Sequence, residues 1–311
     1  MKEHYVTLFN SKFLPQGISL LLSMEKHIEN FNLWILCLDI ECYNLLCKLN
    51  NRTVTPLLLS DFETSDLLKV KKNRSFTEYC WTLTPFTFKF VHSIDNSIKR
   101  LTYLDADMFF FKNPSDIFDD FEKSQKSVLI TKHNYSPFYD HSNTSGKYCV
   151  QFLTINFEHG ELIRKDWESK CLEWCYNRFE DGKFGDQKYL DNWPIDFKNK
   201  VHVLVKNDII LAPWNITKYS TEELILFHFH GLRVLNNDKF YIGNYLIPRA
   251  TYDQIYKIYL GSLKESIDLL KSLKFYDFVQ QNNSLLLKIK SILSVPYFIL
   301  KLFKYRHIIK I

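Results

Sequence analysis

Short apolar runs alternate with helical segments along the first hundred residues of this chain. The runs at 5–9, 33–38, 54–59 and 101–104 have the length of buried strands. Between the first two runs, residues 17–29 carry apolar side chains at the spacing of an amphipathic helix. This order favours an α/β fold with a mainly parallel central sheet flanked by helices.

Further elements are predicted beyond the fourth run. A helix is expected over 85–94 with Thr84 as its cap. The remaining predictions are strands at 128–130, 152–157 and 224–229, and helices over 162–179, around 252–273 and in the tail. No repeat or low-complexity linker divides the chain, so we expect one main domain over 1–250 and a helical C-terminal extension over 251–311.

Glycine is scarce, with 8 glycines in 311 residues. No two of them have the G-x-G spacing, so neither a dinucleotide-binding fingerprint nor a phosphate-binding P-loop can be written onto the sequence. Any nucleotide must therefore be bound by another arrangement.

A composition of 46% hydrophobic and 24% charged residues excludes a disordered chain and indicates a globular protein with a sizeable core.

Seven cysteines without a C-x-x-C pair indicate buried thiols in a reducing compartment rather than a disulfide framework. The first residues show no charged-then-apolar leader of the kind that directs export. We therefore expect a cytoplasmic protein.

The C-terminal segment is the basic part of the chain. Residues 284–311 contain six Lys or Arg and no acid, so they carry +6 against a net charge of +5 for the whole chain. Their longest uncharged stretch, 291–300, is too short to span a bilayer. Two interpretations stay open: a peripheral segment on the anionic inner face of the cell membrane, or helices packed on their own domain. Pro296 predicts two short helices, the second over 297–311.

A pair of carboxylates follows the strand predicted at 101–104. Asp105 and Asp107 would stand at the C-terminal edge of the sheet, where open α/β folds bind their ligands. Carboxylates spaced i,i+2 can share one hard cation, which in turn can neutralise a diphosphate. A similar pair, Asp39 and Glu41, follows another predicted strand, so the bare pattern also fits a solvated turn.

Histidines could complete such a site. His228 and His230 end the run at 224–229 and, two residues apart in a strand, would share one face. One neutral imidazole would complete a site that already has two carboxylates, and we choose His228. Two carboxylates with an imidazole suit Mn²⁺ or Mg²⁺ better than Ca²⁺.

Five stretches, taken in order, resemble glycosyltransferases with the GT-A fold, in particular glycosyltransferase family 8 and the glycogenin-like enzymes of a bacterial surface-polysaccharide branch. Residues 103–107 resemble the divalent-metal motif of these enzymes. The other four are 6–13, which resembles the first strand and its loop, Lys89, 185–187 with an Asp-Gln pair, and 228–231 with a His-x-x-Gly element. The resemblance spans roughly residues 5–235.

The resemblance implies roles for single residues. It makes Asp105, Asp107 and His228 the ligands of Mn²⁺ or Mg²⁺. The donor-binding residues it implies are Thr7, Leu8, Phe13, Lys89, Asp105 and Gly231. It makes Asp186 and Gln187 the catalytic pair that faces the donor sugar. From the residues alone, Lys89 also fits a solvated helix surface, and Asp186 also fits an acid at a helix start.

Three positions depart from the family pattern. Residues 149–151 read Cys-Val-Gln where the family has an Asn-x-Gly stretch lining the donor sugar, so Gln151 would crowd that site. Phe13 keeps an aromatic ring for stacking on the base but lacks a hydroxyl. The basic residue expected after the His-x-x-Gly element is displaced, with Arg233 nearby.

The resemblance implies a metal-dependent hexosyltransferase. It would move a sugar, with retention, from a nucleotide-diphosphate donor, for which we expect a UDP-sugar, to a glycan or lipid-linked polysaccharide acceptor, and we expect no nucleic-acid partner. A non-catalytic homologue that binds nucleotide sugars or glycans is the alternative that residues 149–151 suggest. A phosphohydrolase of the haloacid dehalogenase type would use Asp186 and Asp191, but it requires Thr or Val where this chain has Phe109.

Overall fold

The computed structural model describes residues 2–280 and 308–310. This part of the chain separates into two compact units. The first unit takes its residues from 1–10, 28–106 and 113–207, and the second from 11–27, 107–112 and 208–311. The chain passes from the first unit to the second directly after Ala106. The domain boundary predicted at residue 250 stays a prediction.

Strands and helices alternate through most of the described chain. The strands are β1 (Glu3–Phe9), β2 (Phe31–Cys37), β3 (Val54–Leu58), β4 (Arg100–Leu104), β5 (Met108–Phe110), β6 (Val128–Lys132), β7 (Tyr148–Asn156), β8 (Val201–Val203), β9 (Ile210–Leu211), β10 (Leu226–His228), β11 (Arg233–Val234), β12 (Lys239–Tyr241) and β13 (Ile308–Lys310). The helices are α1 (Leu14–His27), α2 (Ile40–Leu49), α3 (Ser65–Lys71), α4 (Phe76–Ile94), α5 (Ser115–Ser124), α6 (Ser142–Ser145), α7 (Phe157–Glu173), α8 (Trp193–Asp196), α9 (Arg249–Thr251) and α10 (Lys257–Ser272).

A seven-stranded sheet forms the centre of the first unit, in the order β3-β2-β1-β4-β7-β6-β8. The two pairs that involve β7 are antiparallel and the other four are parallel. The predicted mainly parallel sheet is therefore confirmed. Every residue of β2 and β4 is buried, and this burial on both faces of the sheet explains the continuous apolar runs of the strands. All seven cysteines are free thiols and five are buried.

Helix α4 starts nine residues before the predicted helix. Ser75 and Glu78 form a capping box at its N-terminus, whereas Pro85 lies inside the helix. The prediction that Thr84 caps a helix is therefore wrong, and its hydroxyl instead donates to the carbonyl of Cys80 (3.2 Å). Proline favours a first turn and costs a backbone hydrogen bond inside a helix, so the capping box and the buried side chains of α4 must offset that cost.

Helix α7 also differs from its prediction, because it ends at Glu173 rather than at 179. Trp174 leaves the helix with extended backbone angles. Cationic side chains lie over the aromatic rings that follow, with Arg178 over both Trp174 and Tyr176. These cation–π contacts stabilise an irregular segment after Glu173. The helical spacing of apolar residues does not predict it.

The second unit has two small sheets and a helix pair. One sheet has the order β5-β10-β9 and the other the order β11-β12-β13. Helix α1 packs on α10, where the hydroxyls of Ser19 and Ser266 share a buried hydrogen bond (2.9 Å). The ring of Tyr259, on α10, stacks on Phe229, directly after β10 (centroids 3.7 Å apart). Helix α10 thus supports the strand that carries His228.

The last described residues form a strand rather than the predicted helix. Ile308, Ile309 and Lys310 pair antiparallel with β12, and Ile309 is buried. The prediction of a helix over 297–311 is therefore wrong for 308–310, because strand pairing satisfies the backbone there and buries the branched side chain. The rest of that prediction lies outside the described residues. Within the described ranges, no helix is both long enough and apolar enough to cross a bilayer.

Candidate active site

Pairing between β5 and β10 brings Asp107 to His228. The two strands are antiparallel, with His228 opposite Met108, the residue that follows Asp107. The amide of Phe229 donates to the carbonyl of Asp107 (2.9 Å), which extends the ladder by one bond. Nε2 of His228 lies 3.0 Å from Oδ1 of Asp107, and both side chains are buried. A contact across 121 residues of sequence is thus set by the register of a short ladder.

The electrostatic surroundings hold Asp107 in its charged form. Burial alone would raise its pKa, but His228, His230 and Arg233 lower the pKa of Asp107 to about 2. The residue therefore offers a carboxylate at every pH at which the protein would work, as a metal ligand must.

Aromatic side chains surround the two histidines. The ring of Trp214 stands edge-on to His228 (5.3 Å) and to His230 (5.5 Å). Nδ1 of His230 is hydrogen-bonded to the hydroxyl of Tyr245 (2.9 Å). Many protein atoms surround His230 although part of its surface reaches solvent, and this desolvation, followed by the charge of His228, lowers its pKa. His230 is therefore neutral near pH 7.

In the first unit, Asp105 is held directly after β4. Its backbone amide donates to the carbonyl of Gln151 on β7 (3.2 Å), and the hydroxyl of Tyr103 donates to its Oδ1 (3.0 Å). Burial, followed by the charges of Asp105 and Asp186, raises the pKa of Tyr103 well above its ordinary value. The tyrosine thus stays protonated and serves as a fixed hydrogen-bond donor.

Asp186 is a buried acid beside Asp105 in the same unit. Its side chain is hydrogen-bonded to Thr84, and its backbone carbonyl accepts from Nε1 of Trp167 (2.9 Å). Burial, followed by the negative charge of Asp105, raises the pKa of Asp186 to about 7. Acids whose pKa values are shifted this far are found mainly at functional sites. At Asp186, burial and the charge of Asp105 disfavour the ionised form of the carboxyl group.

Three of the predicted residues can hold a metal. Asp107 and His228 contact each other in the second unit, and Asp105 is the last but one residue of the segment of the first unit that precedes Asp107. The chain itself keeps Asp105 near Asp107, since only Ala106 separates them. Two carboxylates and one imidazole are a donor set that Mn²⁺ and Mg²⁺ accept, so the residues present fit the predicted ion.

The predicted donor-binding residues have different environments. Thr7 is fully buried on β1, and its hydroxyl has no hydrogen-bond partner among the described residues. Leu8 packs into the hydrophobic core of the first unit. Lys89 is exposed on α4, and no hydrogen bond or ion pair of its side chain occurs in the described part of the chain. Nothing in these contacts joins Lys89 to the carboxylates.

Two other predicted donor-binding residues belong to the second unit. Phe13 is half-buried under the guanidinium of Arg233, which lies 5.6 Å from the ring centre. Gly231 has a φ of +81°, a left-handed conformation that favours glycine. The displaced basic residue noted in the sequence thus contacts the aromatic residue predicted to stack on the base.

Three further residues that the sequence singled out form hydrogen bonds. Nε2 of Gln187 donates to the carbonyl of Ser145 (2.7 Å). Asp191, the second acid of the phosphohydrolase alternative, accepts from the amide of Lys147 (2.7 Å) and so has a structural role. Asp39, of the alternative carboxylate pair, caps α2 by accepting from the amide of Cys42 (2.8 Å).

Sequence reasoning missed several residues of the site. Thr84 was assigned to a helix end, although it reaches Asp186 from within α4. Trp214 and Tyr245 were not predicted to lie at the histidines. The sequence indicated only that Trp214 and Tyr245 are aromatic residues. Contacts between segments that are distant in sequence leave no periodic pattern of apolar residues.

The fold is that of known glycosyltransferases. The chain is similar to mouse xyloside xylosyltransferase 1, with a TM-score of 0.51 and 13% identity over 74% of this chain and 98% of that one. It is also similar to the glycosyltransferase GlyE of Streptococcus pneumoniae TIGR4, with a TM-score of 0.50 and 13% identity over 88% of this chain and 64% of that one. The chain therefore has a fold that known glycosyltransferases share, as the sequence analysis predicted.

Two relatives in sequence come from Bacillus subtilis (strain 168). The uncharacterized protein YfnD is 31% identical over 292 residues, which cover 88% of this chain and 93% of YfnD. The uncharacterized protein YfnF is 29% identical over 258 residues, which cover 76% of this chain and 84% of YfnF. The chain belongs to the family of YfnD. No family model matches it.

Proposed function

We propose that this protein is a metal-dependent glycosyltransferase of the hexosyltransferase type, related to glycosyltransferase family 8 and the glycogenin-like enzymes. The observation that carries the proposal is the contact of Asp107 with His228, with Asp105 two residues before Asp107 at the end of β4, in a fold that known glycosyltransferases share. The order of the motifs along the chain supports the particular family. The donor is a UDP-sugar, and the acceptor is a glycan or lipid-linked precursor of a surface polysaccharide.

The metal site is made by Asp105, Asp107 and His228, and Asp107 is already charged there. A bound Mn²⁺ or Mg²⁺ would neutralise the diphosphate of the donor and make it a better leaving group. The ring of Phe13 stacks on the base, and Lys89 and the amide of Gly231 contribute to binding the phosphates.

The first strand contributes in two ways to nucleoside binding. The hydroxyl of Thr7, which is buried and has no hydrogen-bond partner among the described residues, makes a polar contact to the donor. Leu8 contributes through its backbone, since its side chain is part of the core. Substitutions of Leu8 should therefore act on folding rather than on donor choice.

The catalytic pair is Asp186 and Gln187. Asp186, oriented by Thr84, holds a hydroxyl of the donor sugar. Gln187, whose amide nitrogen already donates to Ser145, presents its amide oxygen to positive charge that develops near the anomeric carbon. The departing diphosphate can take the acceptor proton, which allows transfer with retention. An inverted anomer in the proton NMR spectrum of the product would contradict retention.

Thermal denaturation with a panel of nucleotide sugars tests the proposed function. With Mn²⁺, a UDP-sugar at about 100 times its Kd should stabilise the protein by about 2.7 kcal/mol, an increase in Tm of about 4 °C. EDTA should abolish the increase. The proposal fails if no nucleotide sugar raises Tm, or if EDTA leaves the increase unchanged.

The same preparations separate the other function classes. A transferase slowly hydrolyses its donor when no acceptor is present, whereas a non-catalytic binding protein shows the increase in Tm without hydrolysis. A phosphohydrolase releases phosphate from simple esters such as p-nitrophenyl phosphate. We expect donor hydrolysis and no phosphate release from the ester.

We infer that the enzyme is cytoplasmic and that its basic tail binds peripherally to the inner face of the cell membrane. Charge supports this location, since residues 284–311 hold six basic residues and no acid. One of them, Lys310, already pairs with Asp238 (3.3 Å). Each remaining cation near an anionic surface contributes about 1 kcal/mol before screening by salt.

Flotation with anionic liposomes tests the tail. The full chain should float at low salt and not at high salt, because screening weakens surface attraction. A variant carrying Lys301→Glu, Lys304→Glu and Arg306→Glu should fail to float and should keep the wild-type Tm. The membrane role is rejected if the full chain stays at the bottom at low salt, or if the variant floats equally well.

A further inference from the structure

The loop between β6 and β7, residues 133–147, lies at the edge of the sheet that carries the first carboxylate. Lys132 and Tyr148 form the strand pair next to this loop, and the amide of His133 donates to the carbonyl of Lys147 (2.9 Å). Asp105 is bonded to Gln151, three residues after β7 begins. The connection of these two strands is therefore a neighbour of the candidate site in the first unit.

The second half of the loop is fixed to the segment that follows Asp186. Gln187 donates to the carbonyl of Ser145, and Nζ of Lys188 donates to the carbonyls of Ser142 and Asn143 (3.0 Å each). Asp191 accepts from the amide of Lys147. The side chains of residues 187–191 thus join the segment after Asp186 to backbone groups in this half of the loop.

The first half of the loop presents aromatic rings. His133 and Tyr135 are stacked, with ring centres 4.6 Å apart, and His141 stands edge-on to Tyr135. The ring of Phe138 is edge-on to Tyr139 (5.0 Å), yet Phe138 is 65% exposed. Together with the half-buried Tyr135 and Tyr139, this exposed ring gives the loop a group of aromatic side chains that a ligand can reach.

The composition of the loop indicates what that ligand is. Apart from its aromatic rings, the loop is made mostly of neutral hydroxyl and amide side chains, and its formal charges are those of Asp140 and Lys147. Sugar rings combine an apolar C–H face, which stacks on aromatic rings, with hydroxyls that need neutral hydrogen-bonding partners. A membrane surface or an anionic polymer would instead require a cluster of cations.

We propose that loop 133–147 binds the acceptor glycan, with the exposed ring of Phe138 stacking on a sugar face. This inference rests on the proposed function and names the part of the chain that selects a neutral glycan. Gln187 then acts in two ways, at the donor sugar and as a positioning residue that holds the acceptor loop through Ser145.

Kinetics of the Phe138→Ala variant test the proposal. The matched control is Phe76→Ala, at the start of α4, where the ring is 58% exposed and substitution removes the same apolar surface. With methyl glycosides as acceptors, Phe138→Ala should raise the acceptor KM about 10-fold. Its hydrolysis of the donor without acceptor should change less than about 2-fold, and Phe76→Ala should match the wild type in both. An unchanged acceptor KM, or an equal fall in donor hydrolysis, overturns the proposal.

A binding measurement keeps this test independent of the proposed activity. Saturation-transfer NMR needs no donor, and a panel of methyl glycosides of glucose, galactose, mannose, rhamnose and N-acetylglucosamine serves as the probe. At least one glycoside should show transfer from the wild type and from Phe76→Ala, and lose it in Phe138→Ala. Absence of transfer from the wild type, or equal transfer from all three proteins, overturns the proposal. Failure of donor hydrolysis in the wild type contradicts the proposed function instead.

Discussion

Asp107→Asn should lower glycosyl transfer more than about 100-fold at saturating Mn²⁺. Removing residues that merely orient metal ligands costs about 10–100-fold, and a direct carboxylate ligand should matter more. The asparagine is nearly the same size, but it lacks the negative charge that the surroundings of Asp107, His228 foremost, stabilise on the aspartate. Titration calorimetry with Mn²⁺ should show the corresponding loss of metal affinity.

The chain offers a matched control for this substitution. Asp120 pairs with Nε2 of His202 (2.7 Å), a second carboxylate–imidazole contact that lies outside the candidate site. Asp120→Asn should leave transfer and Mn²⁺ binding within about 2-fold of the wild type. Full Mn²⁺-dependent activity in Asp107→Asn, with circular dichroism confirming the fold of both variants, would refute the metal assignment.

Asp186→Asn should inactivate the enzyme and stabilise the metal-free protein. The folded state holds the proton of Asp186 up to about pH 7, whereas the unfolded chain releases it near 3.8. Between these values the unfolded state binds fewer protons, so the wild type loses stability as pH rises, by at most about 4 kcal/mol. Asparagine imitates the protonated acid and removes this loss.

Urea denaturation in EDTA at two pH values measures the effect. The gain in unfolding free energy should be under about 2 kcal/mol at pH 5 and should approach about 4 kcal/mol at pH 8. Asp191→Asn is the control, since this acid accepts from Lys147 and pairs with Lys188, and its loss should give no gain. A gain that does not grow with pH would mean that Asp186 is not protonated in the folded state. An acid kept at such a cost in stability is typical of a functional residue.

Local patterns were sufficient for the sheet, and they also selected the candidate metal ligands, whose metal binding stays a prediction. Asp105 and Asp107 could be predicted because they follow a buried strand directly, and strand ends in α/β folds are where ligands bind. His228 could be predicted because it ends another apolar run. In these cases the informative residues are adjacent in sequence, so a short window contains the whole signal.

Contacts between distant segments could not be predicted. Thr84 was assigned to a helix end because Pro85 is a strong local signal, yet the capping box at Ser75 and Glu78 outweighs it. No pattern in residues 185–191 indicates that Gln187 reaches Ser145. The strand at 308–310 forms because β12 lies beside it, which is a property of the assembled unit and not of three residues.

That last strand has a practical consequence for handling the protein. β12 pairs with β11 on one side and with β13 on the other, so residues 308–310 cover the backbone of Lys239–Tyr241. A shortened chain without them would leave a row of free amide and carbonyl groups, with Phe240 in the middle, open to a strand from another molecule. Such a chain should form oligomers or precipitate as concentration rises. Purification tags therefore belong at the N-terminus, and trimming for crystallisation should leave the last strand in place.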